Sequence, residues 1–124
     1  MPILDKTEIA KEKRKQRRLE ALGGSNPKCG ICGMANWRCL ELHHISDHDR
    51  DETKVPVCRN CHRVLSDEQK DHPTFNPAND TMLDAIGHFL LGVVDMLKLI
   101  IEKLSAFGHA LIERAAPVIE RDGK

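Results

Sequence analysis

The sequence predicts an α+β chain in which a small unit of two short strands and one helix lies between a basic helix and a long apolar helix. Three observations carry this prediction. Two C-x-x-C pairs, Cys29 with Cys32 and Cys58 with Cys61, bracket the middle of the chain. Short runs beside them, Trp37 to Leu42 and Val55 to Val57, have the composition and period of strands. From Met82 to Ala116 the pattern is helical until Pro117 stops it.

A length of 124 residues allows one domain, or one small domain with helical extensions. With three Phe, one Trp and no Tyr, large aromatic rings contribute little packing, so a small unit of this kind needs a covalent or metal staple. Five cysteines are present, and the N-terminus is charged from Asp5 onward with no apolar leader segment. The expectation is a cytoplasmic chain with reduced thiols, in which paired C-x-x-C spacings signify metal sites before disulfides. Nineteen basic and nineteen acidic residues balance, which argues against a wholly basic nucleic-acid module. The charge is nonetheless segregated, with bases ahead of Gly23 and acids gathered in Asp47 to Glu52 and Asp67 to Asp71.

Four segments follow. Residues 1–24 form a basic arm, helical from about Thr7 to Leu22, with Thr7 as the expected cap and Gly23 with Gly24 as the stop. Its sparse apolar anchors leave Lys11, Lys13, Arg14, Lys15, Arg17 and Arg18 either on a solvated charged helix or lying along a phosphate backbone. Residues 25–72 form the finger. Its SNPKCGICG stretch is turn chemistry around a thiolate pair, a strand ends at His43 and His44, and a helix begins near Cys58. Residues 73–80 read as a linker rich in Pro, Asn and Asp. Residues 81–124 carry the apolar helix, with Thr81 and Asp84 as a capping box and Gly108 as a place to bend.

Two C-x-x-C pairs, separated by 25 residues, are a strong signal for one structural Zn²⁺ held by Cys29, Cys32, Cys58 and Cys61. Cys39 is left over and reads as a small apolar side chain. With four thiolates completing a tetrahedral ion, His43, His44 and His62 are surplus to it. Adjacent strand residues point to opposite faces, so His43 and His44 have different jobs. One imidazole from a strand and one from a helix, with a third nearby, suits metal-assisted hydrolysis.

Cys29, Cys32, LELHHI from Leu40 to Ile45, VPVC from Val55 to Cys58 and CRNCH from Cys58 to His62 together resemble the HNH endonuclease family. The resemblance spans roughly residues 27 to 70 and implies a treble-clef-like ββα-metal finger. It implies that His43 and His62 hold a catalytic divalent ion, Mg²⁺ or Mn²⁺, and that His44 is the general base in single-metal hydrolysis of DNA. The family's middle Asn, five residues before the third cysteine, is matched by Thr53, which would orient the base through a hydroxyl in place of an amide. Asp47, His48, Asp49 and Asp51 are candidates to supplement the metal shell. The competing expectation is a catalytically inactive zinc module for nucleic-acid or protein interaction.

On the C-terminal helix, Asp84, His88, Asp95, Lys98, Glu102, Ser105, His109 and Glu113 make one polar stripe on an otherwise apolar surface. A finger this small covers only part of that surface, so the 81–116 helix is expected to associate with itself or a partner protein. Membrane contact is the less favoured alternative, because Asp95, Lys98 and Glu102 interrupt the apolar run.

Overall fold

The computed structural model describes residues 5–46 and 52–118. Three helices and one two-stranded sheet follow the expected order. Helix α1 runs Lys6–Leu22, strand β1 Leu40–His44, strand β2 Lys54–Cys58, helix α2 Arg59–Gln69 and helix α3 Thr81–Ala115.

Helix α1 begins one residue earlier than expected because Asp5, not Thr7, caps it. The Asp5 carboxylate accepts from Glu8 N and the Glu8 side chain accepts from Asp5 N. This reciprocal pair satisfies two donors that the helix itself leaves open. Leu19 and Leu22 are buried at its C-terminal end, and one N–H group of Arg18 donates to the Leu40 carbonyl. The arm is therefore anchored to β1 at that end, and Arg18 is engaged in the fold, unlike the exposed Lys11, Lys13, Arg14 and Arg17.

The first strand starts later than its composition suggests. Asn36 accepts from Arg38 N and turns Trp37–Cys39 into a single tight helical turn, so the strand occupies Leu40–His44. Strands β1 and β2 pair antiparallel with Leu40 opposite Cys58 and His44 opposite Lys54. Helix α2 follows β2 with no intervening loop, and Cys58 caps it by accepting from Cys61 N through its own sulfur. Leu22, Leu40, Val57, Leu65 and Leu99 form the core together with Cys29, Cys58 and Cys61. So few large side chains fit the expectation of a unit that needs a staple.

Helix α3 is capped by Asp80, which accepts from Leu83 N, one residue ahead of the expected Thr81. It runs through Gly108 without a break. Its docked face joins His88 and Asp95 of the polar stripe to Gly92 and Leu99, the four buried residues of the helix, while the stripe from Lys98 onward stays exposed. His72 Nε2 lies 2.6 Å from Asp95 Oδ2, and the two ring nitrogens of His88 lie 2.9 Å from the Asp84 and Pro73 carbonyl oxygens. Buried polar groups are tolerated only when partnered, and these three are. The segment 73–80 thus links two parts that pack on each other, with Leu99 inside the finger's core. Apart from Leu99 and the half-buried Phe89, Val93, Met96 and Ile100, the large apolar residues of α3 face outward, from Met82 and Leu83 to Leu111 and Ile112.

Gly92 sits where α3 crosses the chain leaving β1, and a Cβ there would stand 1.7 Å from the Ile45 carbonyl oxygen. Replacing it by Ala must push the helix off the finger. Gly92→Ala is expected to lose roughly 3 kcal/mol or more in urea unfolding and to open α3 to protease. An unchanged midpoint would contradict this packing.

Candidate metal centre

The Ser25–Met34 turn is built to present sulfur. Cys29 N donates to Met34 O at 2.8 Å, Gly33 N donates to Cys29 O at 2.9 Å, and Gly33 takes up φ 77, a left-handed conformation open to glycine. Gly30 N donates to Pro56 O at 2.8 Å, tying this knuckle to β2. The ligating atoms of Cys29, Cys32, Cys58 and Cys61 consequently lie within 4.8 Å of one another, and Cys32 Sγ is 3.8 Å from Cys58 Sγ. Sulfurs at about 2.3 Å from a tetrahedral ion are about 3.8 Å apart, so this donor set fits Zn²⁺. Among the described residues it is the one group of three or more His, Cys, Asp or Glu able to hold an ion.

Electrostatics in the cluster agree. Burial works against ionisation of Cys29, yet the backbone N–H groups of Cys32, Cys58 and Ile31 hold its thiol at about 7, below the ordinary 9.0. Cys32 and Cys61 are pushed up, by burial first and by neighbouring sulfur groups after it. Four converging sulfurs cannot all ionise without a cation, so metal entry must expel protons.

The imidazoles are placed by the same elements. His43 on β1 is 1% exposed, and His62 stands on the first turn of α2. Their rings meet edge to face, with centroids 5.4 Å apart and planes at 73°. The strand and the helix thus bring these two imidazoles into contact. His62 Nδ1 lies 3.2 Å from Glu41 Oε1. Donation from Nδ1 to that carboxylate leaves the lone pair on Nε2, as in metal-ligating histidines. Gln69 Nε2 donates to the His44 carbonyl at 2.8 Å and lies 3.5 Å from His43 Nε2. Burial first, then the neighbouring His62 and His44, lower His43 from 6.5 to about 4. It is therefore a neutral donor near neutral pH.

Glu41 and Gln69 went unrecognised in the sequence, although each has a positional signal. Glu41 is two residues before His43 and shares its strand face, and Gln69 is seven after His62, two turns along one face of α2. A groove beside His62 is lined by Glu41, Arg59, Asn60, His62, Arg63 and Ser66. Arg59 and Arg63 are both exposed and stand one helical turn apart. His44 is half-buried at the end of β1, and Thr53 O accepts from Ile45 N at 3.1 Å, extending the ladder one step beyond His44. Asp47, His48, Asp49 and Asp51 lie outside the described residues. Cys39 is half-buried and not part of the cluster, and the basic residues of α1 are not part of the imidazole site.

Structural zinc contributes roughly 10–16 kcal/mol in small domains, so chelation or Cys58→Ser is expected to unfold the β1–β2–α2 unit. Circular dichroism and amide shift dispersion would show it, and a native spectrum after metal removal would contradict it. A second expectation concerns pH. Below about 6.5 the unfolded chain takes up a proton at His43 that the folded chain refuses, so this group's contribution falls as pH drops and is fully lost below about 4. The depression corresponds to on the order of 3 kcal/mol, and His43→Asn should show a correspondingly shallower loss of stability between pH 7 and 4.

No protein-family model, curated protein or solved structure matches this chain, so its functional reading rests on its own residues and their geometry.

Proposed function

We propose that this protein is a metal-dependent DNA endonuclease of the HNH type, built on a zinc-stapled, treble-clef-like ββα-metal finger. The observation that supports the reading is the His43–His62 pair, edge to face with centroids 5.4 Å apart, with Glu41 on His62 Nδ1. His43 and His62 would hold the divalent ion. When bound there, Mg²⁺ or Mn²⁺ supplies Lewis-acid stabilisation of charge developing on the phosphate.

The chain's own groups do the rest. His44 takes the proton of the attacking water as general base, a role imidazole fills near neutral pH. Arg59 and Arg63 at the groove receive the phosphate oxygens, where a guanidinium offers paired donors. Glu41 fixes the His62 tautomer, and Thr53 holds the far end of the hairpin against Ile45. The exposed bases of α1 add sequence-independent, salt-sensitive attraction for the backbone.

A zinc module that binds nucleic acid without cutting it is the second reading. It is favoured by Gln69 lying against His43 and by a pair of imidazoles with no third ligand among the described residues.

Plasmid nicking in Mg²⁺ or Mn²⁺ separates the two. His44→Ala is expected to lower nicking at least about 100-fold while leaving the zinc content unchanged. Arg63→Ala is expected to weaken DNA binding and flatten its salt dependence by about one phosphate contact. Intact plasmid from wild type across several divalent ions, with DNA still bound, would establish the second reading.

A further inference from the structure

The outward face of α3 carries a repeat that the fold of one chain does not use. Leu83, Leu90, Leu97, Leu104 and Leu111 recur at every seventh residue, and they are 69, 56, 52, 65 and 49% exposed. At 100° per residue this row lies roughly 180° around the helix from the docked row of His88, Gly92, Asp95 and Leu99. A partner seated on the leucines would therefore meet no part of the finger. With Ile86, Val94, Ile101 and Phe107 alongside, also exposed, the face offers on the order of 1,000 Å² of apolar surface. A stable specific interface uses roughly 800 Å² per partner.

The glycines of α3 say what that partner is. Gly92 is demanded by Ile45, but a Cβ at Gly87 or Gly108 would meet nothing within 4 Å, and neither has positive φ. In a helix each costs about 0.5–1 kcal/mol relative to Ala, with no return inside the single chain. Taking the leucines as position d of a heptad, position a is Gly87, Val94, Ile101 and Gly108. The residues just before the two glycines, Ile86 and Phe107, are bulky and exposed. In a parallel, in-register pair, the hole that receives position a is walled by the preceding g residue of the other helix. Ile86 and Phe107 of each chain then fold into the space left by Gly87 and Gly108 of the other. Leu at d with β-branched Val94 and Ile101 at a also favours two parallel strands.

We infer that α3 pairs with α3 of a second copy of this chain as a parallel, two-stranded coiled coil with the five leucines at its seam. The strict seven-residue repeat drifts about 20° per heptad on a straight helix, so the pair winds left-handed. Because the finger docks on the N-terminal half of α3, the two fingers stand at the same end of the pair, on its outer sides. No helix among the described residues is long and apolar enough to cross a membrane, which leaves a lipid surface as the competitor to be tested. This inference does not depend on the nuclease reading.

Sedimentation equilibrium of the full chain is expected to give twice 14.0 kDa, that is 28.0 kDa, over a range of concentrations. Leu97→Glu, and separately Leu104→Glu beyond the finger's contact, are expected to give monomers with unchanged zinc content and helix signal. In a Cys39→Ser background, Leu111→Cys should join to itself through a short bismaleimide, with the parent chain as control. An antiparallel pair would set position 111 beside Leu83, roughly 40 Å along the helix, and give no such product. A monomer at all concentrations, a monomer that only binds lipid vesicles, a trimer or tetramer, or a dimer indifferent to both Glu variants would overturn the proposal. A dimer without the 111 cross-link would overturn its parallel register.

Discussion

Cys58 is the residue through which the fold is tied. It ends β2, stands opposite Leu40 in the sheet, caps α2 with its sulfur and contributes that sulfur to the four-cysteine cluster. One side chain thus locks the angle between the hairpin and α2. That angle is what brings His43 of the strand against His62 of the helix, since His62 is four residues beyond Cys58, one turn along α2. With a core of few large side chains, hydrophobic burial alone would hold this geometry loosely, and an ion held by the four thiolates would stiffen it.

Helix α3 reverses the usual arrangement of an amphipathic helix. The N-terminal part of its polar stripe faces the protein because Asp95 meets His72 and His88 meets the Pro73 carbonyl there, and a glycine lets the backbones touch. Satisfied polar contacts and one close crossing dock its first half, while its apolar surface is left outward. A helix docked this way leaves most of its apolar surface outward, and in the pairing proposed above the leucine repeat would direct that surface to a second helix of the same kind.

Much of the site was legible because its parts are local. The C-x-x-C spacing places two sulfurs on one turn, and the same short runs hold His43, His44 and His62. Boundaries were less legible, since Asp5 and Asp80 outcompete Thr7 and Thr81 as caps and Asn36 converts the first residues of an apparent strand into a turn. Glu41 and Gln69 look like ordinary surface residues until β1 and α2 meet. Arg18 reads as one more base of the arm until its partner, the Leu40 carbonyl 22 residues away, is in place.

The sequence by itself determined the thiolate set and the order of helices and strands, because each depends on spacing along a chain of known rise and period. Only the tertiary structure decided which side of α3 is used up by the finger, and so which of its glycines has a reason within one chain. It also decided that His43 is buried neutral against His62. Those outcomes depend on contacts between residues distant in the sequence, where burial and the supply of hydrogen-bond partners outweigh local pattern.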